Sequence, residues 1–157
     1  MIYGYDSRGN HIRTTYEDGT QDRYIYNAKG LLTKSINRRG QQIRYNYNAK
    51  YELVKEIYED GSTVRYTYNA TSGQVKTITD ADGTTRFNYS DDNQRLVIIY
   101  TTGRSLVYDF DSLGRKTALR IKEGSAIVSG TNYSYDNFGR LERLTDREGN
   151  LDRKSVV

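Results

Sequence analysis

Cysteine, proline and tryptophan are missing from this 157-residue chain, and histidine and methionine occur once each. Without cysteine there is no disulfide framework and no thiolate metal site, and the redox compartment stays open. With His11 alone, no nucleophile and base pair can be named, and a position beside turn residues reads as solvated rather than catalytic. No run approaches the roughly 18 apolar residues of a membrane span, and Met1–Asp6 lacks the basic and apolar regions of a signal peptide. Alanine and leucine are sparse, whereas tyrosine occurs 16 times and glycine 14 times, a bias toward strands and turns over helices. Neither sign of charge dominates: 24 basic and 20 acidic residues are spread along the chain. That balance reads as a mixed solvated surface. The densest basic cluster, Arg38 and Arg39, sits in a turn, so nucleic acid has neither a helix nor a basic stripe to bind.

What is present is a repeat. An aromatic-x-aromatic pair recurs as Tyr3/Tyr5, Tyr24/Tyr26, Tyr45/Tyr47, Tyr66/Tyr68, Phe87/Tyr89, Tyr108/Phe110 and Tyr133/Tyr135. The first six are 21 residues apart and the last step is 25, with the surplus assigned to a lengthened turn or loop over Gly124–Gly130. Each pair precedes a polar segment usually closed by glycine, as in Asn27 to Gly30, Asp111 to Gly114 and Asp136 to Gly139. Asp or Asn can bond the backbone two residues on, and glycine supplies the positive φ of a tight reversal. Ten residues further comes a second turn, such as Asp18-Gly19, Asp60-Gly61 or Glu148-Gly149. Tyr51 and Gln94 stand where the turn glycine belongs, and Tyr51, too bulky for positive φ, predicts a different turn conformation there.

One unit is therefore strand, turn, strand, turn. The chain reads as an all-β, continuous antiparallel meander of about seven 21-residue hairpins. It forms one domain over 1–157, with units starting near 3, 24, 45, 66, 87, 108 and 133. Alternation places both aromatics on one face and Arg23, Arg44, Arg65 and Arg86 on the other, mainly polar face. The returning strands carry Leu32 and Ile36, Leu53 and Ile57, or Leu141 and Leu144, at spacings that break parity and predict a bulge or a late start. The sequence opens and closes in mid-unit, ending at Leu151–Val157 without a polar cap, as a piece of a longer array or a chain that covers its edges by self-association.

Tyr133-Ser134-Tyr135-Asp136-Asn137-Phe138-Gly139-Arg140-Leu141 resembles the YD repeat of the RHS and teneurin families, in seven registers over nearly the whole chain. The resemblance implies a curved or spiralling sheet, an arc of a hollow shell too short to close alone. In bacterial members that shell encloses a toxin, and in teneurins it forms part of a cell-adhesion receptor. It implies a non-enzymatic scaffold, without cofactor or metal, from a secreted or cell-surface protein with protein partners. The family's self-cleavage region has no counterpart here, so no catalytic residue is carried over. Asp80 to Gly83 lacks the downstream Glu of a calcium loop. The alternative is a carbohydrate-binding module in which the tyrosine row stacks on sugars while Arg23, Arg44, Arg65 and Arg86 hold acidic groups. Under the scaffold reading, Tyr3, Tyr24, Tyr45, Tyr66 and Tyr108 are a packing spine with hydroxyls turned to solvent or to backbone.

Overall fold

The structure is a computed structural model and describes residues 1–151; the end of the chain read above as closing in mid-unit lies, beyond Leu151, outside the described residues. Seven strands precede residue 70. They are β1 (Ile2–Tyr5), β2 (His11–Thr15), β3 (Gln21–Tyr26), β4 (Leu32–Ile36), β5 (Gln42–Tyr47), β6 (Leu53–Tyr58) and β7 (Thr63–Tyr68). Seven follow: β8 (Val75–Asp80), β9 (Gly83–Tyr89), β10 (Arg95–Ile99), β11 (Arg104–Phe110), β12 (Lys116–Glu123), β13 (Ala126–Tyr135) and β14 (Leu141–Asp146). They hydrogen-bond in chain order in one open antiparallel sheet, with no helix among the described residues. By contacts the chain divides into one compact unit of Met1–Gly73 with Ile78–Asp82, and a second of Gln74–Thr77 with Gly83 onward.

The turns repeat one geometry. In the first, Gly9 N–H donates to Asp6 C=O at 3.1 Å and Asp6 N–H to Asn10 C=O at 2.9 Å, with Gly9 at φ 83°. This is a type I turn closed by a left-handed residue. It recurs at Tyr16–Thr20, Asn27–Leu31, Asn37–Gln41, Tyr58–Ser62 and Asp136–Arg140. Tyr51 does not change it, contrary to the sequence expectation. Its φ is 66°, its N–H still donates to Asn48 C=O at 3.0 Å, and its ring lies beside the Lys29 ammonium, 4.3 Å from the ring centre. The bonds of the turn outweigh a left-handed cost of about 1–2 kcal/mol for a non-glycine residue. Tyr51→Gly is accordingly expected to raise the unfolding free energy, read from the urea midpoint at unchanged slope, by about 0.5–1 kcal/mol once the lost cation–π contact is subtracted. An unchanged or lower midpoint would show the ring to be worth more than the strain.

Two further expectations are corrected. Asn93, at φ 56°, takes the left-handed place that the sequence assigned to Gln94, and Asn tolerates it through local hydrogen bonding. The surplus residues of Gly124–Gly130 are no lengthened loop. They extend β12 and β13 to 8 and 10 residues around a short reversal at Gly124, with one register shift between Ile121 and Lys122. The expected bulge is present and regular. In the register Ile25 faces Lys34 and Tyr26 faces Leu32, so Thr33 has no opposite residue. Ile12, Val54, Thr117 and Glu142 are bypassed in the same way. The bulge sends Leu32 and Ile36 to opposite faces and brings Leu141 and Leu144 to one.

A one-layer sheet gives little full burial. Ala118 is the one buried apolar residue among those described, and the paired tyrosines of β3, β5 and β7 are half-buried.

Candidate functional site

The tyrosine face is built by reciprocal use of the bulge. Skipping Thr33 interrupts the ladder beside Leu32, and the hydroxyl of Tyr47, in the next hairpin, donates to Leu32 C=O at 2.8 Å. Tyr26 donates to His11 C=O at 3.0 Å, Tyr68 to Leu53 C=O at 2.6 Å and Tyr135 to Lys116 C=O at 2.8 Å. Each acceptor immediately precedes the bypassed residue of the preceding hairpin. Phe110 follows the same logic from the other side: it has no hydroxyl, and β10 pairs with β9 without a bulge. Leaving a backbone carbonyl without a partner costs about 1–3 kcal/mol where water is excluded, which is why the second aromatic of a pair is tyrosine wherever this bulge precedes it.

In two of the pairs the first tyrosine reaches a residue ten positions back. Tyr45 Oη lies 3.0 Å from Ser35 Oγ, and Tyr66 Oη donates to Glu56 Oε1 at 3.0 Å, while Tyr58 Oη donates to the other oxygen of Glu56 at 2.7 Å. Burial, and then the bond to Glu56, push the Tyr66 phenol up to about 12. His11 is not simply solvated, as its sequence position suggested. Its ring packs between Tyr3, Tyr5 and Tyr24 at centroid distances of 5.6, 5.5 and 4.9 Å, and Nε2 lies 3.0 Å from Thr14 Oγ1. Among the described residues no three His, Cys, Asp or Glu side chains converge as metal ligands.

The Asp-x-x-Gly-Arg-Leu string is explained by the turn. Asp136 Oδ1 accepts from the N–H of Phe138 and Arg140, both at 2.9 Å, while Oδ2 accepts from Arg140 Nε at 2.8 Å, and Leu141 sits opposite Tyr135. Asp111 and Arg115 repeat this, and the Arg115 guanidinium lies 4.6 Å from the centre of the Tyr135 ring. At Asp6 the place of the arginine is taken by Asn10, whose Nδ2 donates to Oδ2 at 2.9 Å.

These bonds lower the carboxyl pKa values, through the Arg115 and Arg140 N–H for Asp111 and Asp136, and through the Asn10 side chain for Asp6. Groups lowered on folding stabilise the fold above their ordinary value of 3.8 and lose that contribution as pH falls through the folded value. Melts should therefore hold a constant midpoint from neutral pH down to about 5 and fall below about 4, and Asp111→Asn with Asp136→Asn should flatten the acid limb. An acid limb unaltered in that double variant would remove the turns as its cause. Tyr66 acts at the other end: its contribution is full below 10 and is lost as pH rises through about 12.

The arginines named in the sequence lie away from the tyrosines. Arg23 faces Ile36 and Arg13, Arg44 faces Ile57 and Lys34, and Arg65 faces Lys55, whereas Tyr24 faces Ser35 and Tyr45 faces Glu56. Side chains opposite one another share a face, so the two rows occupy the two sides of the sheet and no single sugar chain can stack on one while pairing with the other.

A family model described as RHS Repeat matches residues 5–41, 26–63 and 52–85, together just over half of the chain. The chain belongs to the RHS repeat family. Solved structures place these RHS repeats on a known fold. A crystal structure of TcdB2-TccC3-TEV superposes with a TM-score of 0.67 at 15% identity over 96% of this chain and 9% of that one. For TcdB2-TccC3 without its hypervariable C-terminal region the score is 0.68 at 15% identity, over 92% and 9%. For a Photorhabdus luminescens Tc holotoxin pore it is 0.65 at 15% identity, over 92% and 9%. The chain therefore spans under a tenth of the length of these structures. No curated protein sequence matches it. Within the RHS repeats, Gly30, Gly114 and Gly139 hold the left-handed place of their turns, and Tyr108 faces Leu96 and Leu119, while Tyr133 faces Leu144. Arg86 faces Ile99. Sequence reasoning missed the carbonyl acceptors; the signal for them was the coincidence of parity-breaking leucine with a tyrosine 15 residues later.

Proposed function

We propose that this chain is a non-enzymatic scaffold, an arc of a longer RHS-repeat array whose shell encloses a polypeptide or presents a surface to protein partners outside the cell. The carrying observation is the bond from the second tyrosine of four pairs, Tyr26, Tyr47, Tyr68 and Tyr135, to the bulge of the hairpin before it, which couples nearest neighbours along the chain. Stability in such an array is a sum of unit and neighbour terms, so it grows by adding hairpins and needs no single core. That suits a wall. The likeness to much longer toxin structures, of which this chain covers 9%, supports its place within a larger array.

The gene product that carries this segment provides the test. Under native conditions a shell protects what it encloses, so protease should leave the flanking polypeptide intact until the repeats are unfolded. Complete digestion of flanking sequence while the repeats remain folded would reject enclosure. Steady hydrolytic or transfer activity of the purified 157 residues that survives substitution of surface residues outside the array would reject the scaffold reading altogether.

A further inference from the structure

Charge is segregated between the two sides of the first unit. In β1 to β7 the two acidic residues, Asp22 and Glu56, both lie on the tyrosine side, where Tyr16 donates to Asp22 and Tyr58 and Tyr66 to Glu56. All six cations of those strands lie on the opposite side as directly opposed pairs: Arg13 with Arg23, Lys34 with Arg44, and Lys55 with Arg65. Like charges directly across a ladder destabilise a sheet, and none of the six has an acidic partner among the described ion pairs. The arginines of these pairs are exposed, and Lys34 and Lys55 are half-buried with their stems on the sheet. The sequence reading of no basic stripe is thus corrected by the pairing register.

The pairs march diagonally. Ile36 stands beside Arg23 and Ile25 beside Lys34, so the second pair lies two strands over and two residues along from the first. By ordinary sheet dimensions that is roughly 12 Å, with the two isoleucines midway. Between the second pair and the third stand Ile57 and Asn46. A shallow groove is lined in part by Arg13, Arg23, Ile25 and Ile36.

We propose that this face binds an extended acidic polypeptide with a carboxylate at every fourth residue and an apolar side chain midway between. An extended chain advances about 3.3 Å per residue and returns to one face every second residue, so four residues cover about 13 Å and the apolar side chain falls at half that distance. The isoleucines select polypeptide over a nucleic acid or a sulfated glycan, which would match the cations and leave the apolar strip uncovered. The proposal rests on the strand register and not on the shell reading.

The test uses a synthetic peptide of three Glu-Ser-Leu-Ser units, a peptide of the same composition with the spacing scrambled, heparin, and a thymidine oligonucleotide, each titrated against the 157-residue chain. The spaced peptide should bind more tightly than the scrambled one by about tenfold, with affinity falling as salt rises. Arg23→Glu with Arg44→Glu should lose that binding, while Arg39→Glu with Lys50→Glu, the same charge change placed in turns, should alter it by no more than about twofold. The first pair of substitutions also relieves two like-charge contacts, so its thermal midpoint should not fall, which separates lost binding from lost fold. Equal affinity for both peptides, tighter binding of heparin or the oligonucleotide than of the spaced peptide, or equal losses in the two double variants would each overturn the proposal.

Discussion

Replacing Tyr45 and Tyr47 together with alanine is expected to destabilise the chain by about 4 kcal/mol, read as a shift in urea midpoint at unchanged slope. Truncating a fully buried aromatic costs about 3–5 kcal/mol, and these rings are half-buried, so each loses about half of that through packing alone. The bonds of Tyr45 with Ser35 and of Tyr47 with Leu32 C=O add about 1 kcal/mol each, offset in part by the freedom regained. Native domains hold 5–15 kcal/mol in all, so the loss is a large fraction of the whole. Tyr3 and Tyr5, at 55% and 61% exposure in the first strand, provide the internal comparison. The same double substitution there should cost well under half as much. Equal losses at the two places, or no loss at Tyr45 and Tyr47, would show that the rings do not hold neighbouring hairpins together.

Much of the architecture was legible because its causes are local. A turn residue such as Asp136 makes its bonds within four positions, so the turn and the reversal of the chain are written in a short string. Alternation along β5 likewise separates Tyr45 from Arg44 without reference to any other strand. What escaped depends on pairing. That Arg13 faces Arg23 and Lys34 faces Arg44 follows only once two strands are in register, and along the chain those residues look evenly scattered. The acceptor of Tyr47 was hidden for the same reason, since the free carbonyl at Leu32 is made by a bulge whose position is set by the partner strand. Tyr51 and the Gly124–Gly130 stretch failed differently. In both, hydrogen bonds available to the backbone overrode a preference read from residue type, by holding a left-handed tyrosine in one case and lengthening a hairpin in the other.

The bulge and the hydroxyl make a sharper prediction than the rings do. Tyr26→Phe, Tyr47→Phe and Tyr68→Phe keep each ring and remove one donor from His11, Leu32 and Leu53 C=O respectively. Each should cost about 1 kcal/mol, and the three, lying on different hairpins, about 3 kcal/mol in combination. A generic loss of tyrosine polarity would cost the same wherever it was made, so the decisive comparison is the reverse change. Phe110 follows the one hairpin whose register runs from Leu96 to Ile99 without a bypassed residue, and Phe110→Tyr should therefore give no stabilisation. Amide exchange adds the spatial readout. Opening should accelerate around Thr33 in Tyr47→Phe and around Val54 in Tyr68→Phe, one hairpin before the substitution in each case. Exchange that quickened instead in the hairpin bearing the substitution, or a Phe110→Tyr variant gaining as much as Tyr47→Phe loses, would refute coupling between consecutive units through the bulge.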